Sequence, residues 1–193
     1  MASVAGLASV SSGAIAIQSF AAASTEGLGA FTGSFNYVAS NATQGTLTIT
    51  LTNTSVLANG GFLTAFVFNS VNSVTGLTLS SGPANFSLGS NVSAAPFGTY
   101  RHGVSTGGGF LGGGNPSRGL AVGATGTFVF AVTASNALAL TENSFLDGSN
   151  DYPFVVRFRG FENGGSDKVP TPTPGSLALG LIAGLTAARR RRA

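Results

Sequence analysis

Two segments in the middle of the chain alternate between the two sides of a strand, and this period decides the fold class. Residues 46–52 read Thr-Leu-Thr-Ile-Thr-Leu-Thr, and residues 127–133 read Thr-Phe-Val-Phe-Ala-Val-Thr. Successive side chains of a β-strand point to opposite faces, so a period of two predicts strands with one buried face. The side chains predicted to point inward are Leu47, Ile49, Leu51, Phe128, Phe130 and Val132.

Further apolar segments also read as strands. The run 62–69 is almost continuously apolar, which predicts a strand buried on both sides with Phe62, Phe66 and Phe68 in register. In the run 154–159, Arg157 and Arg159 are expected to point outward. Weaker strand candidates are 31–38, 76–80 and 98–104.

Turn-forming residues separate these segments, and only 135–146 resembles a helix. Asn136 and Asn143 predict that this helix is short or irregular. Several strands without alternating helices predict an all-β fold, a single antiparallel β-sandwich or jelly-roll-like domain. We expect this domain to cover residues 24–168.

The basic charge of the chain is confined to its end. The formal net charge is +3 and the sequence pI is about 10.0, but four of the nine basic residues are Arg189–Arg192. The rest of the chain holds five basic against six acidic side chains. A nucleic-acid-binding protein needs a basic face that follows the phosphates, so we expect no nucleic-acid partner.

The chain carries few residues for catalysis. It has no Cys, one His and six carboxylates, and charged residues are only 8% of the sequence. His102 lies in a Gly-rich context without a Gly-x-Ser-x-Gly nucleophile motif, and no second His exists for a His-based metal site. We therefore predict no enzymatic activity, no catalytic or metal-binding residues and no cofactor.

The first 23 residues are small and apolar, with no charge before Glu26. Residues 4–10 and 14–17 suit the apolar region of an export signal, and the alanines at 21–23 suit a signal peptidase. The Lys or Arg that usually opens such a signal is missing. We predict an atypical export signal over 1–23.

The last 25 residues have three parts. Residues 169–174 alternate proline with other residues, which predicts an extended, exposed linker, because proline lacks a backbone donor. Residues 177–188 carry no charge and predict a short hydrophobic helix, and Arg189–Arg192 follow. Such an arginine cluster is retained on the cytoplasmic side of a membrane.

This three-part tail resembles a PEP-CTERM sorting signal, whose matching residues are Val169, Pro170, Thr171, Pro172, Arg189, Arg190, Arg191 and Arg192. Thr171 stands where the family usually has Glu, which indicates a variant signal class. The resemblance implies an exported bacterial protein that is anchored transiently in the inner membrane and processed by an exosortase-type enzyme. Such tails have also been labelled an ice-binding-protein C-terminal domain.

These observations predict three regions: an export signal at 1–23, a β-sandwich body at 24–168 and a sorting signal at 169–193. We expect a bacterial cell-surface or extracellular-matrix protein without a recognisable activity in its body. One alternative is a carbohydrate- or exopolysaccharide-binding module, although the chain has no Trp and three Tyr for stacking on sugars. A lesser alternative is ice binding through the threonine row at 46–52.

Overall fold

The computed structural model describes residues 13–107, 109–111 and 113–172, and over these residues it is an all-β sandwich. The strands are β1 (Ile15–Gln18), β2 (Phe31–Ala39), β3 (Gln44–Asn53), β4 (Gly60–Phe68), β5 (Val74–Ser81), β6 (Ser87–Ser93), β7 (Thr99–Ser105), β8 (Thr125–Ala134), β9 (Phe154–Phe161) and β10 (Ser166–Pro170). They form two five-stranded antiparallel sheets. The first sheet has the order β1-β2-β3-β8-β5 and the second has the order β10-β9-β4-β7-β6.

The space between the sheets is filled by aromatic and aliphatic side chains. All six residues predicted to point inward from β3 and β8 are at most 2% exposed, which confirms the prediction. Phe66 of the second sheet meets Phe128 of the first edge to face, with ring centroids 4.8 Å apart. Phe154 similarly meets Phe35 at 5.5 Å. Such pairs add to the stabilisation from burial of the rings themselves.

The prediction for Phe62 is wrong, because β4 does not keep a two-residue period along its whole length. Its pairing with β9 shifts register between Leu63 and Ala65, as happens where a β-bulge inserts an extra residue. Leu63 therefore joins Phe66 and Phe68 in the main core. Phe62 is left half-buried outside that core.

The segment 135–146 is irregular, as its asparagines predicted. It forms two short 3-10 turns, Ala137–Ala139 and Glu142–Phe145, instead of an α-helix. Phe145 is fully buried, and Glu142 Oε1 accepts a hydrogen bond from the backbone of Tyr37 at 3.0 Å. The turns thus close one end of the sandwich over the first sheet.

The folded body is wider than the predicted range 24–168. At its start, β1 lies within the segment assigned to export and pairs with β2. At its end, β10 continues through Pro170, and Thr171 donates its backbone N–H to Phe154 O at 2.9 Å.

The prediction that 169–174 forms an exposed linker is therefore wrong for its first three residues. Val169 is fully buried and Thr171 is 2% exposed. Proline is tolerated at 170 because β10 is an edge strand, and the missing N–H faces away from β9. The carbonyl on that same outer side accepts a hydrogen bond from Phe20 N at 2.8 Å.

A buried carboxylate joins the two ends of the body. Asp167 in β10 is fully buried and accepts hydrogen bonds from five donors in the segment 24–29, and the Ser24 hydroxyl lies within reach of both carboxylate oxygens. The donors are the Ser24 and Thr25 hydroxyls and the backbone N–H groups of Glu26, Leu28 and Gly29. Burial raises the pKa of Asp167, but the hydrogen bonds outweigh burial and hold the pKa below its ordinary value.

Candidate binding surfaces

The outward face of the first sheet is a field of hydroxyl groups, which we call the threonine face. Strand register places Thr32 opposite Thr52, and Thr52 opposite Thr125. The Thr52 and Thr125 hydroxyls lie 2.8 Å apart. The apolar Val38, Val129 and Ala131 also lie on this face, whose polar side chains on β2, β3 and β8 are Thr32, Ser34, Asn36, Gln44, Thr46, Thr48, Thr50, Thr52, Thr125, Thr127 and Thr133.

The threonine face is also uncharged. None of the five strands of the first sheet contains Asp, Glu, Lys or Arg. Sequence reasoning found the single row 46–52 and missed its neighbours, because the pairing partners of β3 are distant in the chain. The threonines at 125 and 127 were visible in the sequence, but only the β3–β8 register brings them opposite Thr52 and Thr50 of that row.

The outward face of the second sheet is covered instead. Arg157 and Arg159 point outward, as predicted, and hold the Gly-rich excursion that follows β7. Arg157 Nη1 donates to Phe110 O at 2.6 Å, and Arg159 Nη1 donates to Gly113 O at 2.9 Å. Phe110 is 2% exposed within a second, smaller apolar cluster on this face. The outward face of the first sheet is therefore uncharged and rich in hydroxyl groups, whereas that of the second sheet carries two arginines that bind the Gly-rich excursion.

A groove runs between β5 and β6, the edge strands at one seam of the sandwich, and we call it the seam groove. Its volume is about 370 Å³. Ligand sites in proteins commonly fall between roughly 300 and 1,000 Å³. The residues that line the groove are Val74, Thr75, Gly76, Leu77, Leu88, Gly89, Ser90, Arg101 and His102.

Arg101 and His102 supply the strongest polar groups of the seam groove. Arg101 is exposed, and its guanidinium donates to Asn72 Oδ1 and to Ser70 O. Burial, helped by the neighbouring Arg101 charge, lowers the pKa of His102 to about 4, so the imidazole is neutral at pH 7. His102 Nε2 lies 2.9 Å from Ser70 Oγ, and Ser70 is 1% exposed, so this pair is a structural hydrogen bond.

The residues predicted for the sorting signal divide at the end of β10. Val169, Pro170 and Thr171 belong to the folded body, and Pro172 is half-buried beside β1. The predicted helix 177–188 and Arg189–Arg192 lie outside the described residues.

The described residues contain neither a metal-binding cluster nor a membrane-spanning helix. No group of three or more His, Cys, Asp or Glu side chains there is placed to hold a metal ion. No helix within that part of the chain is long and apolar enough to cross a membrane.

No protein family, curated protein or solved structure matches the chain. The function therefore has to be inferred from the tail, the threonine face and the seam groove themselves.

Proposed function

We propose that this is an exported bacterial surface or extracellular-matrix protein without enzymatic activity, sorted by an exosortase-type enzyme. The observation that carries the proposal is the order of three parts in the tail. A proline-rich spacer is followed by twelve uncharged residues at 177–188 and then by Arg189–Arg192. We infer a transient anchor in the inner membrane, followed by release to the cell surface or the extracellular matrix.

The length of the apolar segment supports a temporary anchor. Twelve residues of helix extend about 18 Å, short of the roughly 30 Å hydrocarbon core of a bilayer. Its Ala and Gly side chains add little apolar area, and the arginines hold the end of the chain in the cytoplasm. We also propose that residues 177–188 form a helix and that the sandwich belongs to the jelly-roll-like class.

The extent of the folded body supports particular positions for the two proposed cuts. The sequence Pro-Thr-Pro occurs twice, at 170–172 and at 172–174, and the first copy begins inside β10. A processing enzyme needs an extended, accessible backbone, so we place the sorting cut after Thr171. Similarly, an export cut after Ala23 would remove β1, whereas a cut before Ile15 keeps the first sheet complete.

The intact mass of the protein from the surface of its native host tests this proposal. We expect a mature chain that begins at or before Ile15 and ends between Thr171 and Leu177. A variant with glutamine at 189–192 is expected to accumulate with its tail, because the cytoplasmic stop is gone. A mature species that still contains 177–189 would establish a retained anchor instead, and an end before Val169 would contradict the placement of the cut.

Ice binding is a second candidate function, favoured by the threonine face. The register sets Thr52 of β3 between Thr32 of β2 and Thr125 of β8, and Thr50 beside Thr127, with strands about 4.8 Å apart and same-face residues about 6.8 Å apart along each strand. Such a regular array of hydroxyl and methyl groups can order water. Neighbouring strands of a sheet twist by roughly 20–25°, so a flat contact is limited to these three strands.

Inhibition of ice recrystallisation tests the second candidate. We expect the full chain to slow crystal growth and Thr50→Lys, near the centre of the threonine face, to abolish the effect by placing a charged chain there. Thr99→Lys is the matched control, since Thr99 is an exposed threonine on β7 of the second sheet. Equal activity of the two variants, or none in the unmodified chain, would remove this function.

A further inference from the structure

The two seams of the sandwich differ, and this difference points to a ligand site. At the seam of β1 and β10, Phe20 N bonds Pro170 O at 2.8 Å and Thr25 N bonds Lys168 O at 3.1 Å, so the edge of β10 is covered. At the opposite seam, β5 and β6 flank the open groove. Its apolar floor is continuous with the core, since Leu77 and Leu88 are partly buried against the main cluster.

The charge of the seam groove selects for an anion. Arg101 is the one charged side chain among the described residues that line it, and no carboxylate lines it. The two hydrogen bonds to Asn72 and Ser70 hold the guanidinium at the groove and leave other N–H groups free to donate. A guanidinium binds a planar carboxylate through two parallel N–H donors, which favours that group over a single point charge.

The rest of the groove suits a polyhydroxylated ring. Thr75 and Ser90 supply hydroxyl groups, and neutral His102 supplies a ring for packing or hydrogen bonding. Edge strands also leave backbone N–H and C=O groups unpaired, and these can bond sugar hydroxyls. The aliphatic side chains Leu77 and Leu88 can cover the C–H face of a sugar.

We propose that the seam groove binds a uronic-acid unit of an acidic polysaccharide, with the sugar carboxylate on Arg101. The proposal rests on the proposed location at the cell surface or in the extracellular matrix, where acidic polysaccharides occur, and it names the chemical class of the ligand. It requires neither the sorting cut nor the threonine face, so each can fail without the other.

Titration of the full chain with tetragalacturonate tests the proposal, with the fully methyl-esterified tetramer as the neutral probe. We expect saturable binding of the acidic tetramer and at least tenfold weaker binding of the ester. Arg101→Gln should weaken binding of the acid at least tenfold. Arg118→Gln removes an exposed arginine outside the groove and gives the same net charge as Arg101→Gln. We expect it to leave the affinity for the acidic tetramer unchanged.

A second variant separates the groove from its charge. Ser90→Leu should fill the groove while the fold persists, because Ser90 is exposed, lines the groove and lies two residues from Leu88 on the same face of β6. We expect this variant to weaken binding of the acidic tetramer even though Arg101 is intact.

Three results would overturn the proposal: equal affinity for acid and ester, equal effects of the two arginine variants, or inorganic sulfate binding at Arg101 as tightly as the tetramer. If the chain binds no acidic tetramer but its tail is processed as expected, the groove proposal alone fails.

Discussion

Replacing Asp167 with asparagine is expected to lower the free energy of unfolding by about 3–5 kcal/mol. The carboxylate accepts hydrogen bonds from five donors and is fully buried. An asparagine amide presents its own N–H groups to some of these donors, so at least two charge-assisted bonds worth roughly 1.5–3 kcal/mol each are lost. Urea unfolding of the full chain measures the change.

Asp151→Asn is the matched control, because Asp151 is exposed and none of the described hydrogen bonds involves its side chain. We expect it to change stability by no more than about 0.5 kcal/mol. A loss below about 1 kcal/mol for Asp167→Asn would show that the segment 24–29 is held by other contacts.

The same residue gives the stability a defined dependence on pH. The pKa of Asp167 is lower in the folded chain than its ordinary 3.8, so the folded state binds its proton less readily than the unfolded state. The stabilisation is therefore complete above the ordinary pKa and is lost as the pH falls through the folded pKa. Asp167→Asn should remove this part of the acid sensitivity.

Phe66→Ala is expected to destabilise the body by about 3–5 kcal/mol, the usual cost of a cavity left by a core phenylalanine. The ring of Phe66 is fully buried and meets three others. The centroid distances are 4.8 Å to Phe128, 5.5 Å to Phe154 and 6.3 Å to Phe68. Since these rings come from both sheets, the cavity would remove packing contacts between the two layers, and chemical unfolding measures the loss of stability.

Phe62→Ala on the same strand is its control. Phe62 lies beyond the register shift and outside the main core, so we expect this variant to lose less than half as much stability. Equal losses of stability for the two variants would mean that Phe62 contributes to the core as much as Phe66 does, which contradicts its place outside the main core.

The sequence predicted what depends on local period and failed where distant partners decide. The alternation at 46–52 fixes which side chains of β3 face the core, whatever strand lies beside it. The shift in β4 depends on its pairing with β9, more than 80 residues away, so no local pattern marks Phe62 as out of register. The strand β10 was missed because Pro170 excludes a central strand but not an edge strand.

The candidate sites divide in the same way. The threonine row on β3 could be read from the sequence, but the rows beside it could not, because they exist only through strand register. The seam groove has no sequence signature, because it forms between edge strands of different sheets. Arg101 was visible only as one of nine basic residues.

The two seams lie at opposite flanks of the sandwich, so the end of the described body and the seam groove also lie at opposite flanks. The described body ends at Pro172, beside β1, and the tail continues from this point. Four strand spacings separate the edge strands of each sheet, a width of roughly 19 Å. A body held by its tail is therefore held by one flank, and its seam groove opens on the far flank. Attachment through the tail and binding in the seam groove would then take place on opposite flanks of the sandwich. In an anchored molecule the ligand would therefore bind on the flank farthest from the point of attachment.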